Sequence, residues 1–224
     1  MLWWKLCSVP MVLILTIIGG VESATAAEEY RYGSFRVVNN TIVGGQFKPD
    51  PAPPLVRASR YPHVIIASFG SKRLSYYRKE GAQYVGVFGR AVVTPAAETL
   101  KGRVKRGKVL KIDTRPTWCP SRGLIRDLNR RVRASSEYSE ADVFRPDRGG
   151  CFSFGHPQNA MGIAKFIVAG WGPIRLHGTP GFPVNFAEVE TYGCVRLLNS
   201  DMTSLLTELG TATVREGLEM IFVP

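Results

Sequence analysis

Residues 63–88 read HVIIASFGSKRLSYYRKEGAQYVGVF. Three runs rich in β-branched and aromatic residues stand here in series: His63 to Phe69, Arg73 to Arg78 and Gln83 to Phe88. Gly70-Ser71-Lys72 and Gly81 supply the turns between them. Consecutive short strands with tight turns point to a sandwich or barrel-like sheet. Further along, Val104 to Ile112 alternates charged and apolar residues, as a half-exposed strand does. Ile163 to Val168, Ile174 to Leu176, Thr213-Val214 and Glu219 to Val223 are expected to add strands, the last two closing the domain. A helix is expected from about Asp201 to Leu209, capped by Asn199 or Ser200 and stopped at Gly210, with Leu205, Leu206 and Leu209 as its apolar face. Leu124 to Val143 carries Arg126, Arg130, Arg131 and Arg133 and reads as a helical excursion between Cys119 and Cys151. The expected fold class is therefore mainly β, a sandwich or barrel-like mixed sheet with one or two short helices and a lid-like excursion.

The chain ahead of this pattern divides in two. Residues 1–26 hold a short positive start, the apolar run Met11 to Ile18, and Ala24-Thr25-Ala26 at the spacing of a signal-peptidase site. That run is shorter than the ~20 residues of a membrane span, so a cleaved secretory signal and an exported protein, in the periplasm or cell-wall space, are expected. Residues 27–60 are expected to form a tether, because Pro49, Pro51, Pro53 and Pro54 favour an extended conformation. The domain proper is expected at 61–224. Ile42-Val43-Gly44-Gly45 resembles the start of a mature trypsin-like protease, but no Gly-Asp-Ser-Gly-Gly follows.

A formal charge of +11 attracts anionic polymers and carboxylate-rich surfaces. No nucleic-acid module signature accompanies it, and export argues against a nucleic-acid partner. Of the four cysteines, Cys7 falls in the signal, leaving Cys119, Cys151 and Cys194. In an oxidising compartment an odd count leaves one thiol over. No histidine spacing suits a metal and no phosphate-binding glycine loop is present, so no metal and no cofactor are expected.

Two short segments carry the chemistry: His177-Gly178-Thr179, and Thr191-Tyr192-Gly193-Cys194-Val195-Arg196 followed by Asn199. A thiol nucleophile needs a neighbouring base, and imidazole titrates in the right range. Glycine before the cysteine lets backbone amides turn toward a developing oxyanion. Arginine two residues later can hold a carboxylate in bidentate fashion.

From His177 to Asn199 the chain resembles the active-site signature of the L,D-transpeptidase catalytic domain (the YkuD-like family), usually His-Gly-Thr, a spacer, then Ser/Thr-His-Gly-Cys-hydrophobic-Arg/Asn. Pro116-Thr117-Trp118 resembles that family's Pro-Thr-Trp segment, and residues 155–162 (GHPQNAMG) its Gly-Pro-x-Asn-Pro-Leu-Gly stretch. The resemblance covers roughly 61–224. It implies that Cys194 attacks a tetrapeptide stem of peptidoglycan, releasing D-alanine, with His177 as the base and the Gly178 carbonyl orienting its ring. Amides at Gly193 and Cys194 would form the oxyanion hole, and Arg196 would hold substrate carboxylate. Tyr192, Thr191, Thr179, Asn199, Trp118 and His156 would line the substrate site.

The departures are specific. Tyr192 stands where most members have a second histidine, Ala160 replaces a proline, Cys119 replaces an aromatic residue, and the spacer lacks a glycine expected shortly before the motif. Cys119 and Cys151 make sense as a disulfide pinning the Arg-rich excursion over the site, the alternative being two buried unpaired thiols. The acyl-enzyme would pass to an amine, giving 3-3 crosslinks or attachment of a wall protein, or to water, making the enzyme an L,D-carboxypeptidase. A non-catalytic wall-binding domain is a third reading. Oligomeric state is not legible. His63, which opens a strand, is expected at a sheet edge.

Overall fold

The computed structural model describes residues 29–32, 35–38, 41–43, 45–134, 139–147, 149–170, 174–179, 191 and 193–224. The expected signal at 1–26 lies outside the described residues. Near the N-terminus β1 (Glu29–Tyr32), β2 (Phe35–Val38) and β3 (Thr41–Val43) pair antiparallel as a three-stranded meander. The principal sheet has eight strands: β4 (His63–Ser68), β5 (Arg73–Glu80), β6 (Gln83–Ala91), β7 (Lys105–Asp113), β8 (Lys165–Val168), β9 (Leu176–Thr179), β10 (Val195–Leu198) and β11 (Leu218–Val223). Their spatial order is β10-β9-β8-β7-β11-β4-β5-β6. The β11–β4 and β10–β9 pairs are parallel and the others antiparallel. The sheet curls until its ends meet: just past β6, Val93 exchanges backbone hydrogen bonds with Arg196 of β10 at 2.9 and 2.7 Å. The mainly β expectation describes this fold.

The interior of the curl holds the main core, where Ile65, Leu74, Tyr76, Val109, Phe166, Leu176, Val195, Leu197, Met220 and Phe222 are buried. Helix α3 (Asn199–Leu209) seals it, burying Met202, Leu205 and Leu209. These positions recur at helical spacing, so one face of α3 is apolar and the other solvated.

Several expectations change. Residues 45–60 are not a tether. Ala91 N–H donates to the Gly45 carbonyl and Phe47 N–H to the Gly89 carbonyl, so the segment covers the edge strand β6. A Cβ on Gly89 would lie 2.5 Å from the Phe47 carbonyl, which is why glycine is needed there. The proline run leads into a one-turn helix, α1 (Pro54–Arg57), with proline at its first position, where no amide donor is required. α1 buries Val56 beside Ala52, Val64, Tyr77 and Ile221, forming a second apolar cluster on the outer face of the sheet. Proline composition spoke for extension, but the apolar residues set between the prolines gain more from burial.

His63 is not at an edge: β4 lies between β11 and β5, and His63 is 6% exposed. Its Nδ1 pairs with the Tyr76 hydroxyl at 2.8 Å and its Nε2 with Glu216 at 2.8 Å. Thr213-Val214 is not a strand but part of a one-turn helix, α4 (Thr213–Glu216), in which the Thr213 hydroxyl donates to the Leu209 carbonyl. The final strand, β11, runs through the middle of the sheet instead of finishing an edge. Neither Asn199 nor Ser200 caps α3, because the helix begins after Leu198 and Asn199 is turned elsewhere.

The excursion between the cysteines contains α2 (Arg122–Ala134), none of whose residues is fully buried. Asn129 exchanges two hydrogen bonds with the backbone of Phe144, at 2.7 and 3.1 Å, and so fastens α2 to the returning chain. Cys119 and Cys151 are joined as a disulfide.

Candidate active site

β9 and β10 lie side by side at the end of the sheet, with Leu176 opposite Val195 and His177 opposite Arg196. Leu176, Val195 and Leu197 belong to the core. Strand alternation therefore turns His177 and Arg196 to the opposite face. Cys194 stands two residues before Arg196, immediately ahead of β10, and Val195 N–H donates to the Arg175 carbonyl at 2.8 Å. Parallel pairing thus brings the two sequence segments into one small site, with Arg196 close enough for its charge to act on both His177 and Cys194.

His177 is 1% exposed, and its Nδ1 donates to the Gly178 carbonyl at 2.6 Å. That bond fixes the tautomer and leaves Nε2 as the nitrogen that can take a proton. Burial, reinforced by the Arg196 guanidinium and by Lys165, pushes the His177 pKa down to about 3 despite the opposing Gly178 bond. The ring is neutral at ordinary pH. Burial also raises the Cys194 thiol, opposed by the Arg175 backbone amide and by the charges of Arg196 and Arg175. The resting pair is therefore thiol and neutral imidazole, and Cys194 stays outside the disulfide.

The backbone is shaped for this arrangement. Gly193 has φ 128°, which L side chains rarely adopt, so the turn into Cys194 needs glycine. A Cβ on Gly178 would meet Asn199 Oδ1 at 2.4 Å and the Ile163 nitrogen at 3.0 Å. The absent side chain lets the 162–163 turn press against the strand that carries His177.

Other expected site residues fall in two groups. Thr191 is buried and its hydroxyl donates to the Cys194 carbonyl, so it closes the turn ahead of the thiol and is not turned to substrate. Asn199 likewise serves the framework, Oδ1 accepting from Ile163 N–H at 3.2 Å. Trp118 stacks on Phe152 at 5.1 Å, their backbones exchanging bonds at 3.0 and 2.7 Å beside the disulfide. His156 packs edge-on against Phe152 at 5.0 Å and its Nδ1 accepts from Gln158 N–H at 3.1 Å, making it a turn residue. Thr179 is buried in β9 and its hydroxyl has no hydrogen-bond partner among the described residues. Tyr192 lies outside the described residues.

Sequence reasoning missed Asn159. It is 5% exposed, and its amide nitrogen donates to the carbonyls of Pro116, Phe152 and Ser153 at 2.8, 3.1 and 2.9 Å. Its Oδ1 accepts from Met161 N–H at 2.9 Å. This residue ties both ends of the disulfide-bracketed excursion to the turn that presses on Gly178. An asparagine among small and turn-forming residues was the available signal, but its partners lie in three separate segments.

Among the described residues no cluster of three or more His, Cys, Asp or Glu could hold a metal ion.

The model of the L,D-transpeptidase catalytic domain (YkuD) matches residues 62–216. This chain belongs to the L,D-transpeptidase catalytic domain family. The match begins one residue before β4, ends with α4 and takes in both His177 and Cys194. Among solved structures, the chain is similar to an L,D-transpeptidase from Stackebrandtia nassauensis, at TM-score 0.41 and 13% identity over 74% of this chain and 57% of that one. It is also similar to a fused Zn-dependent amidase/peptidase/peptidoglycan-binding domain-containing protein from Clostridium acetobutylicum, at TM-score 0.39 and 11% identity over 79% and 64% of the two chains. For a helical cell shape determining protein from Campylobacter jejuni the values are 0.40 and 11%, over 79% and 48%. The chain thus spans about half to just under two-thirds of the length of these structures, between 48% and 64%. No curated protein matches the chain in sequence.

Proposed function

We propose that this L,D-transpeptidase-family chain is an exported cysteine acyltransferase acting on peptidoglycan stem peptides. The observation that carries the reading is the β9–β10 register, which sets His177 beside the strand of Cys194 and Arg196. His177 Nε2 takes the thiol proton as sulfur attacks the carbonyl carbon of the third stem residue. The amides of Gly193 and Cys194 face the oxygen that becomes negative. Collapse expels terminal D-alanine, whose nitrogen receives the proton from His177, and a thioester remains on Cys194. An acceptor amine on another stem or on a wall protein then attacks the thioester, His177 removing the amine's proton, which restores the thiol and forms an amide. Arg196 supplies the cation for a substrate carboxylate.

Neutral resting partners suit this cycle. A buried imidazole held far below its usual pKa is a weak base at rest, and negative charge developing beside it in the reaction raises its basicity.

The test is mass spectrometry of purified tetrapeptide muropeptides incubated with the protein and with Cys194→Ala. Crosslinked dimers lacking one alanine, made only by the parent, are expected. Tripeptide monomers alone would assign the same thiol to a carboxypeptidase. No Cys194-dependent product, together with no carbapenem adduct on Cys194, would overturn the catalytic reading in favour of wall binding.

A further inference from the structure

Between Lys101 and Lys111 the chain carries six cationic residues and no acidic one. Arg106 is paired with Glu219 at 2.8 Å. Lys101, Arg103, Lys105, Lys108 and Lys111 are all exposed, and none pairs with a carboxylate among the described residues. The same stretch holds two of the few exposed large apolar side chains, Val104 at 42% and Leu110 at 57%. Leu110 is outside by construction. Val109 is opposite Val168 and Lys111 opposite Ile167, so Leu110 is the extra residue of a bulge, which is where a strand re-aims a side chain.

We propose that the outer face of β7, which carries Lys108, Leu110 and Lys111, docks together with the turn before it on an anionic phospholipid surface. Unpaired cations alone would fit any polyanion. Aliphatic side chains held outward among them add a contact that only a bilayer interface rewards, since acyl chains lie just beneath the phosphates. The inference is independent of the chemistry at Cys194. It provides a way to hold the catalytic domain at a membrane.

The apolar run at Met11 to Ile18 could bind vesicles by itself, so the readout must be local. Hydrogen exchange of the full chain is followed over 101–111 with vesicles of phosphatidylcholine, and with vesicles in which about a third of the lipid is phosphatidylglycerol. Slowing is expected only with the anionic vesicles, and salt should reverse it. The double variant Lys108→Glu with Lys111→Glu should require about tenfold more anionic lipid for the same slowing, or lose the slowing altogether. Leu110→Ser, at an exposed position, should weaken the slowing while leaving the melting temperature unchanged. Unchanged exchange over 101–111 with anionic vesicles would overturn the proposal. So would equal slowing by inorganic polyphosphate with no effect of Leu110→Ser, which would make the face a phosphate-polymer site.

Discussion

His63 and His177 are both nearly fully buried in strands of one sheet, yet their surroundings are opposite in character. His63 has both ring nitrogens engaged, one by the Tyr76 hydroxyl and one by the Glu216 carboxylate, and so joins β4, β5 and α4. His177 has a backbone carbonyl on Nδ1 and cations, Arg196 and Lys165, acting on its ring. A histidine between a phenol and a carboxylate is a joint. One with a backbone carbonyl on Nδ1 and positive neighbours is held neutral, with Nε2 left as the nitrogen that can take a proton. Burial alone does not distinguish structure from chemistry; the partners do.

The sharpest way to break this contrast is acylation. His177→Gln should slow carbapenem acylation of Cys194 by roughly 10²–10⁴-fold. His63→Gln should leave the rate unchanged and lower only stability. Intact-mass time courses measure both, and equal slowing by the two variants would erase the distinction.

Next comes the disulfide, on the His177 side of the molecule. Its cysteines are 32 residues apart, so replacing both with serine should cost up to ~3–4 kcal/mol by loop entropy. Denaturant melts would show it, and no change would mean that Asn159 and the aromatic stack already hold the excursion. Gly178→Ala should follow at about 1–3 kcal/mol, because its Cβ would press on Asn199 and the Ile163 backbone. Slowed acylation should accompany that loss, since the crowded carbonyl is the one that orients His177.

The pH dependence has a definite sign. The folded-state pKa of His177 is depressed below its usual 6.5, to about 3, so between those values the unfolded chain binds the extra proton. Stability contributed by the neutral ring is present above about pH 6.5 and is lost as pH falls, by roughly 1 kcal/mol between pH 7 and 5.5. His177→Gln should remove that component from melts across the window. The smallest effect is expected at the other histidine. Glu216 is 54% exposed at its side chain, so Glu216→Gln should cost under about 1 kcal/mol. A larger loss there would make His63 more than a joint.

Much of the site was legible because its parts are local in sequence. His177-Gly178-Thr179 and Gly193-Cys194-Val195-Arg196 each announce a residue type beside the glycine it needs, and strand alternation explains why Arg196 shares a face with His177. Asn199 and Thr191 were legible as members of the motif but not in their roles. A polar side chain beside a reactive residue looks the same whether it meets substrate or a backbone amide across the turn.

The sequence by itself determined the strands at 63–88, the α3 apolar stripe and which cysteine and histidine are the candidate nucleophile and base, because periodicity and covalent neighbours are properties of the chain. Only tertiary structure decided that β11 runs through the middle of the sheet, that residues 45–60 cover the edge of β6, that His63 is buried between Tyr76 and Glu216, and that Asn159 ties three segments together. Each depends on groups distant in the chain that must satisfy buried polar atoms or exclude water from apolar ones. That accounting closes only when all the strands are in place.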